Sequence, residues 1–501
     1  MGKKGRNAAL LIILLALLIG VYVFSTVSKK NKDSADTSSA LAAEGSTSSL
    51  DSVSDNDNKI AGFSADEVSL MSVTNASGTS VFVNDNGTWF VKDEKDFPLD
   101  QGKISTMIQN ALDTTTDKKI PDNGDMEQYG LKKPLCSVTL TCATAGSVTI
   151  NAGDSAPTGN GTYFSLGGDD VYLGDSSLAS YFNVSLLSLI KKDETPAINA
   201  DYITRLAVKG ANGNVEVTRD PKNKWNTDET LPYVVTKGYE RPVSAGTEKT
   251  KEILQNYTAF SLGDCVSYKA EDNELTDKYG LDRNAKSVSI DYYESENDYN
   301  STDAAVKANA VKRFTLLIGN KDASEKNYYV KVDDSSLVYL MPADAAEKLV
   351  RVKPIDFVNP LVTPVNVRDL GEVDITAGDR SYTMKVDTAA SDSAVSDSAA
   401  DDVIRTFFWN GKKVDKSDFT GLYSSLVGIT VDGEADRTLP EFKNDKAVLS
   451  VTFTKADGSK TKVTYFEYNE NFYRAEVDGM SFFRANKKTV DSCIADIIKG
   501  I

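Results

Sequence analysis

The sequence predicts an α+β protein: an N-terminal single transmembrane helix followed by three tandem related units, each a mostly antiparallel sheet with one or two helices. Three observations predict it. Ala8 to Val27 is a run of 20 residues without a charge, long enough at about 1.5 Å per residue to cross roughly 30 Å of hydrocarbon. Beyond it, short segments of alternating apolar and polar residues are separated by Gly, Asn and Asp turns, the pattern of half-buried strands. Finally, Tyr129-Gly130-Leu131 and Tyr279-Gly280-Leu281 stand 150 positions apart, followed by Ser137-Val138-Thr139-Leu140 and Ser287-Val288-Ser289-Ile290. A repeated turn feeding a repeated strand is the mark of a duplication, with glycine supplying dihedrals that other residues resist.

Residues 1–32 form the tail and anchor. The apolar run exceeds a signal-peptide core, and neither an Ala-x-Ala site nor a lipobox cysteine follows it, so it is expected to stay uncleaved. Basic residues flank both ends (Lys3, Lys4, Arg6; Lys29, Lys30, Lys32), which nearly balances the positive-inside rule. The short tail is placed in the cytoplasm and the acidic bulk outside the membrane. Residues 33–60, rich in Ser, Asp, Ala and Thr and without an aromatic residue, are expected to be a disordered linker with an r.m.s. span of roughly 30 Å.

The first unit, 61–197, opens with a meander: Val68 to Val73, Ser80 to Val83 and Thr88 to Val91, turning at Ala76-Ser77-Gly78 and Asp85-Asn86-Gly87. Asp100 caps a helix whose Ile104, Met107, Ile108, Ala111 and Leu112 share one face. Strands at 137–141, 147–150, 162–166 and 171–173 follow the Tyr-Gly-Leu turn, and a closing helix begins near Ser176. The second unit, 198–358, replays this order: Ile203 to Val208, Val215 to Thr218 and Trp225 form the meander. Ile253, Leu254 and Tyr257 mark the helix, and Thr315 to Gly319, Tyr328 to Val332 and Val338 to Leu340 the later strands.

The third unit, 359–501, lacks the Tyr-Gly-Leu turn. Strands at 373–376, 382–386 and 406–411 precede a helix carrying Phe419, Leu422, Tyr423 and Leu426 at i, i+3, i+4, i+7. Strands at 447–454, 462–467, 472–476 and 481–483 then lead to a last helix facing inward with Val490, Ile494, Ile497 and Ile498. Residues 389–402, a Ser/Asp/Ala tract, read as a disordered insert.

Trp89, Trp225 and Trp409, the two Tyr-Gly-Leu turns, Gly153-Asp154 with Gly319-Asn320, and Val171-Tyr172-Leu173 with Val338-Tyr339-Leu340 recur in one order. With the anchor, that order resembles the bacterial membrane-anchored domain of unknown function 4340 family. The resemblance implies a setting beside ABC-type transport systems, including the gliding-associated kind, and hence ABC transporter subunits as partners. It supplies no catalytic residue.

Composition narrows the chemistry. The net charge is −17, and after removal of the six basic residues of the first 32 the remainder carries 50 Lys and Arg against 73 Asp and Glu. A bulk so acidic is repelled by nucleic-acid phosphates. With no histidine in the chain, Ser-His-Asp and Cys-His mechanisms and His-based metal sites are excluded. Cys136, Cys142, Cys265 and Cys493 are too scattered for a zinc cage. Cys136 and Cys142, six apart on one strand, lie about 20 Å from each other and cannot pair. A link from either to Cys265 is left open.

The tryptophans and the turn tyrosines read as packing groups, and Gly153 to Gly161 as a hairpin turn, because a strand follows it where a phosphate loop needs a helix. Asp169-Asp170, Asp333-Asp334 and Asp401-Asp402 read as solvated turn charges. No catalytic, cofactor or metal residue is expected. The expectation is a non-catalytic extracytoplasmic binding or scaffolding protein, its bilayer partner met through residues 8–27. Two alternatives stand beside it: an envelope-glycan hydrolase, with two carboxylates about 5–10 Å apart across a cleft, and a solute-capturing domain with a large closed pocket between units.

Overall fold

Alternation of buried and exposed side chains dominates the chain after Asn58, and the computed structural model resolves it into sheets. It describes residues 58–121, 125–220, 222, 232–390 and 403–501. The anchor 8–27, most of the linker, Trp225, Asp401-Asp402 and the greater part of the 389–402 insert lie outside the described residues. Among the described residues no helix is long and apolar enough to cross a membrane, and three sheets form, of seven, nine and nine strands.

The first sheet contains β1 (Val68–Asn75), β2 (Gly78–Asp85), β3 (Thr88–Val91), β4 (Cys136–Cys142), β5 (Gly146–Ser155), β6 (Thr162–Ser165) and β7 (Tyr172–Gly174). Its spatial order is β3-β2-β1-β4-β5-β6-β7. Two meanders therefore join back to back through the antiparallel pair β1 and β4, in which Val73 faces Val138. Helix α1 (Gln101–Leu112) crosses between the meanders. Asp100 caps it, accepting from the amides of Gly102 and Lys103, and Ile104, Met107, Ile108 and Ala111 are buried. The short α2 (Leu178–Phe182) buries Leu178 and Phe182.

The second sheet comprises β8 (Ile203–Gly210), β9 (Gly213–Arg219), β10 (Tyr233–Lys237), β11 (Val243–Ser244), β12 (Cys265–Ser267), β13 (Lys286–Tyr292), β14 (Lys312–Lys321), β15 (Asn327–Val332) and β16 (Val338–Pro342). The third comprises β17 (Leu370–Ala377), β18 (Arg380–Ala390), β19 (Val403–Trp409), β20 (Lys412–Val414), β21 (Gly433–Glu434), β22 (Ala447–Lys455), β23 (Lys460–Glu467), β24 (Phe472–Val477) and β25 (Met480–Asn486). Their orders are β11-β10-β9-β8-β13-β14-β15-β16-β12 and β20-β19-β18-β17-β22-β23-β24-β25-β21. Both repeat the plan of the first sheet and add a strand at each edge.

Register makes the likeness residue-specific. Val208 faces Val288 and Ile375 faces Val451, as Val73 faces Val138. The crossing helices are α3 (Thr247–Leu254) and, in the third unit, α8 (Lys416–Val427), which buries Phe419, Leu422, Tyr423 and Leu426 as its spacing predicts. Between them lie α4 (Asp272–Asp277), α5 (Glu296–Asn300), α6 (Ala304–Ala310) and α7 (Ala343–Val350); α9 (Lys487–Lys499) closes the chain.

Four sequence expectations need correction. The third strand of the second meander is β10, so Trp225 precedes it. Residues 58–60, assigned to the linker, are structured: Lys59 bridges Thr115 and the Asn58 carbonyl accepts from the Thr116 amide at 3.0 Å. Ala389 and Ala390 belong to β18, facing Ile404 and Val403. Helix α9 turns Cys493 inward with Val490 and Ile497, leaving Ile498 48% exposed.

The apolar interiors of the first two sheets are continuous, and Phe482 and Phe483 of β25 join that cluster. The third sheet encloses a cluster of its own around Val373, Phe419, Phe453 and Tyr465. All four cysteines are free and buried. Burial pushes the Cys136 thiol up to about 11 and that of Cys493, helped by Asp496, up to about 12, so neither supplies a thiolate at neutral pH.

Candidate functional site

The Tyr-Gly-Leu turns occupy matching corners. Gly130 and Gly280 have φ of 70° and 63°, left-handed values that suit glycine. The Leu131 amide donates to Met126 (3.0 Å) and that of Leu281 to Leu275 (2.7 Å). Tyr129 packs edge-on against Tyr163 at 4.8 Å, Tyr279 against Tyr329 at 4.9 Å. Each corner lies on a strand glycine: a Cβ on Gly153 would sit 2.2 Å from the Tyr129 carbonyl oxygen, one on Gly319 only 1.9 Å from that of Tyr279. Beside each of those glycines the ladder breaks register, between Ala152 and Ser155 and between Ile318 and Lys321.

The third sheet carries Phe466 at the position of Gly153 and Gly319, and its pairing from Val463 to Glu467 runs without a break. The corner cannot lie there. Arg474 takes the place of Tyr163 and Tyr329, its guanidinium 4.2 Å from the ring centre of Phe466 and 5.1 Å from that of Phe442. Arg474 is 4% exposed and donates to Ser481 Oγ, Glu476 Oε2 and the Asn444 carbonyl. Sequence reasoning missed this group, although an arginine inside an aromatic strand is the signal that could have found it.

Trp89 and Trp409 are buried, 6% and 7% exposed. Gly153 and Asp154 belong to β5, and β6 follows the 156–161 turn, so the stretch is a hairpin. Asp170 pairs with exposed Lys119, and Asp334 sits in a turn at φ 64°. Among the described residues no cluster of three or more acidic or cysteine side chains could hold a metal ion.

Two well-covered carboxylates lie together on the second sheet, Glu216 and Asp291, bridged by Arg205 at 2.7 and 3.8 Å. Arg313 clamps Asp291 through Nε and Nη2 at 2.6 and 2.8 Å. Burial raises the pKa of Glu216, but hydrogen bonds from Lys237, Arg205 and Thr236 outweigh it and hold the carboxyl below its usual range. A glycosidase acid needs the opposite shift. Because the folded pKa is depressed, the contribution of Glu216 to stability is present above its unfolded pKa of about 4.3 and is lost as pH falls through the folded value. Glu216→Gln should therefore destabilise the chain at pH 7 and much less at pH 2.5. Urea titrations at both pH values check this, and an equal loss at the two would contradict it.

The remaining polar constellations gather where one sheet meets the next, and the two junctions are built alike. Leaving its sheet, the chain bridges the entry to its own crossing helix, Ile190 on Leu99 and Val358 on Ala245. The Lys191 amide donates to Pro98 and that of Asn359 to Ser244. The chain then pairs with the segment behind the next crossing helix, through Ile198 to Thr258 and Val362 to Ile429. Asn58 with Thr116 makes the same contact at the first unit.

The loop after the third strand docks on the following unit. At the first junction Tyr268 donates to Glu94 (2.8 Å), Lys269 pairs with Asp96 (2.5 Å), and Phe97 meets Tyr268 edge-on. At the second, Tyr239 donates to Glu434 (2.8 Å), Arg437 pairs with Glu240, and Tyr239 packs on Phe482 and Phe483. The ion pairs are about half exposed and are screened by solvent; the rings and backbone bonds hold the geometry. In both ion pairs the loop supplies the acid and the following unit the base, whereas the tyrosine hydrogen bond runs from the following unit to the loop at the first junction and from the loop to the following unit at the second.

This run from a buried tryptophan, through a Tyr-Gly-Leu corner and a junction, to a second corner has a counterpart among known families. Residues 89–283 match the family described as Domain of unknown function (DUF4340). No curated protein matches the chain. The DUF4340 match covers about two-fifths of the 501 residues. It begins at Trp89 of β3 and ends just past the second corner, so it takes in the first junction whole.

Proposed function

We propose that the chain is a non-catalytic scaffold, anchored by residues 8–27, which presents its three sheets outside the membrane to an ABC-type transport complex. What supports this reading is the repetition of one junction design: backbone bridges and ring contacts fix each unit on the next, as expected of tandem-unit binding proteins. The short basic tail is read as the cytoplasmic end under the positive-inside rule, and the family resemblance favours a transporter as partner.

Cross-linking in native membranes followed by affinity purification tests the proposal. Reproducible recovery of transporter subunits is the expected result, and recovery of the protein alone would refute it.

A further inference from the structure

On the first unit a cleft of about 490 Å³ opens between the end of α1, residues 113–118, the turn that precedes β6 and the start of α2. Its size falls within the range of small-molecule sites, about 300–1,000 Å³. Tyr181 of α2 lines it, 36% exposed, with its hydroxyl 2.9 Å from Ser177 Oγ. The face of such a ring carries negative charge density and attracts polarised C–H groups.

The other walls hold planar polar groups with hydrogen-bonding capacity to spare. Among the described residues the side-chain amides of Asn110 and Asn160 bond to no other group, and each offers two donors and an acceptor. Asp113 accepts from Gln109 Nε2 and Asp117 from Thr115 Oγ1, both at 2.9 Å and each through a single oxygen. The carboxylates alone would suit any cation. Amides beside them, facing the same space as an aromatic ring, single out a ligand with a flat C–H face and a rim of hydroxyls. Asp113, Asp117 and Asp175 outnumber Lys118 on the lining, which disfavours an acidic one.

The third sheet supplies an internal comparison. Tyr163 faces Leu173 as Arg474 faces Arg484, so Asp175 and Asn486, two residues on, correspond, and each accepts from the amide two further along. A cleft opens beside Asn486 as well. Six residues past that cap the first unit has Tyr181 and the third Ser492. The cleft comes with the fold, whereas the ring is particular to the first unit.

We infer that this cleft binds a neutral disaccharide of β-linked glucose, one sugar ring stacked on Tyr181 and its hydroxyls on Asn110, Asp113, Asp117 and Asn160. All-equatorial substitution leaves both faces of such a sugar lined with C–H groups, the surface a tyrosine ring accepts. The inference goes beyond the scaffold proposal, and its readout is independent of transporter recovery.

Calorimetric titration of the purified full-length chain with cellobiose tests it, with spermidine as a cation that lacks hydroxyls. The expected result is saturable one-to-one binding of cellobiose that equimolar spermidine does not displace. Tyr181→Ala should weaken binding about tenfold, the size of one lost ring contact, while Tyr181→Phe keeps most of the affinity. Asn110→Ala should weaken it about threefold, as expected for one neutral hydrogen bond. Tyr181 lies at the surface, so an unchanged unfolding midpoint is expected; should Tyr181→Ala fail to fold, Asn110→Ala decides. Absence of saturable cellobiose binding, displacement by spermidine, or wild-type affinity in the folded alanine variant overturns the inference.

Discussion

Gly319→Ala is expected to lower the stability of the chain by about 3 kcal/mol. The added methyl would stand 1.9 Å from the Tyr279 carbonyl oxygen and 3.0 Å from the Gly280 carbonyl, and both neighbours are backbone. Relief must come from lifting the corner off β14. That breaks the 2.8 Å bond from the Asn320 amide to Tyr279 and draws Tyr279, 2% exposed, away from Tyr329. Overpacking costs about 1–3 kcal/mol and an unsatisfied buried group a similar amount; some relaxation brings the sum to the figure given. Against a typical stability of about 5–15 kcal/mol, the loss is severe. Gly421→Ala is the control, since that helical glycine has nothing within 4 Å of an added Cβ and should gain about 0.5–1 kcal/mol. Thermal and urea unfolding of the two variants distinguish corner strain from a general response to alanine, and a Gly319→Ala midpoint equal to wild type would contradict the close approach.

The second large effect is expected at Arg474. Arg474→Ala leaves the Asn444 carbonyl without its donor and Glu476 with only the Ser481 hydroxyl, and it opens a gap between Phe442 and Phe466, at a cost of about 2–5 kcal/mol set mainly by the emptied space. Arg474→Met fills the gap with an apolar chain, and Glu476, 30% exposed, can turn to water. Its cost should be smaller by at least half. Arg474→Lys keeps the charge but not the planar fork or the stacking face, so it should fall between the two. Denaturation followed by tryptophan fluorescence, with Trp409 reporting the third sheet, measures all three. The same loss in alanine and methionine variants would show that the ion, and not the filled space, is what counts.

How much of this could be read beforehand follows from the physics of each element. Strands such as β4 and β13 were legible because one face is buried and the period of two survives in sequence. Asp100 was legible as a cap for a similarly local reason. The edge strands β12 and β21 have three residues and two, too few to show a period, and α5 and α6, of five and seven residues, are too short to show a helical one. At α9 a cysteine took the core position assigned to Ile498, because a thiol buries as readily as a small aliphatic group.

The corners illustrate both limits. Their repetition announced a shared turn, yet its cause lay in Gly153 and Gly319, far off in sequence. The loss of the turn from the third unit became intelligible only when register placed Phe466 at the same position. The junction contacts join residues 174 and 195 positions apart, a separation that no local pattern reports.

The continuous interior shared by the first two sheets, set against the separate interior of the third, divides the molecule by cooperativity. A disturbance in the first sheet is transmitted through packed hydrocarbon to the second and must be resisted by both together. To reach the third it has to cross a seam of a few rings, ions and backbone bonds. The chain is thus expected to respond as a stiff pair with a more independent companion, so that a load on that companion shifts it before the pair melts.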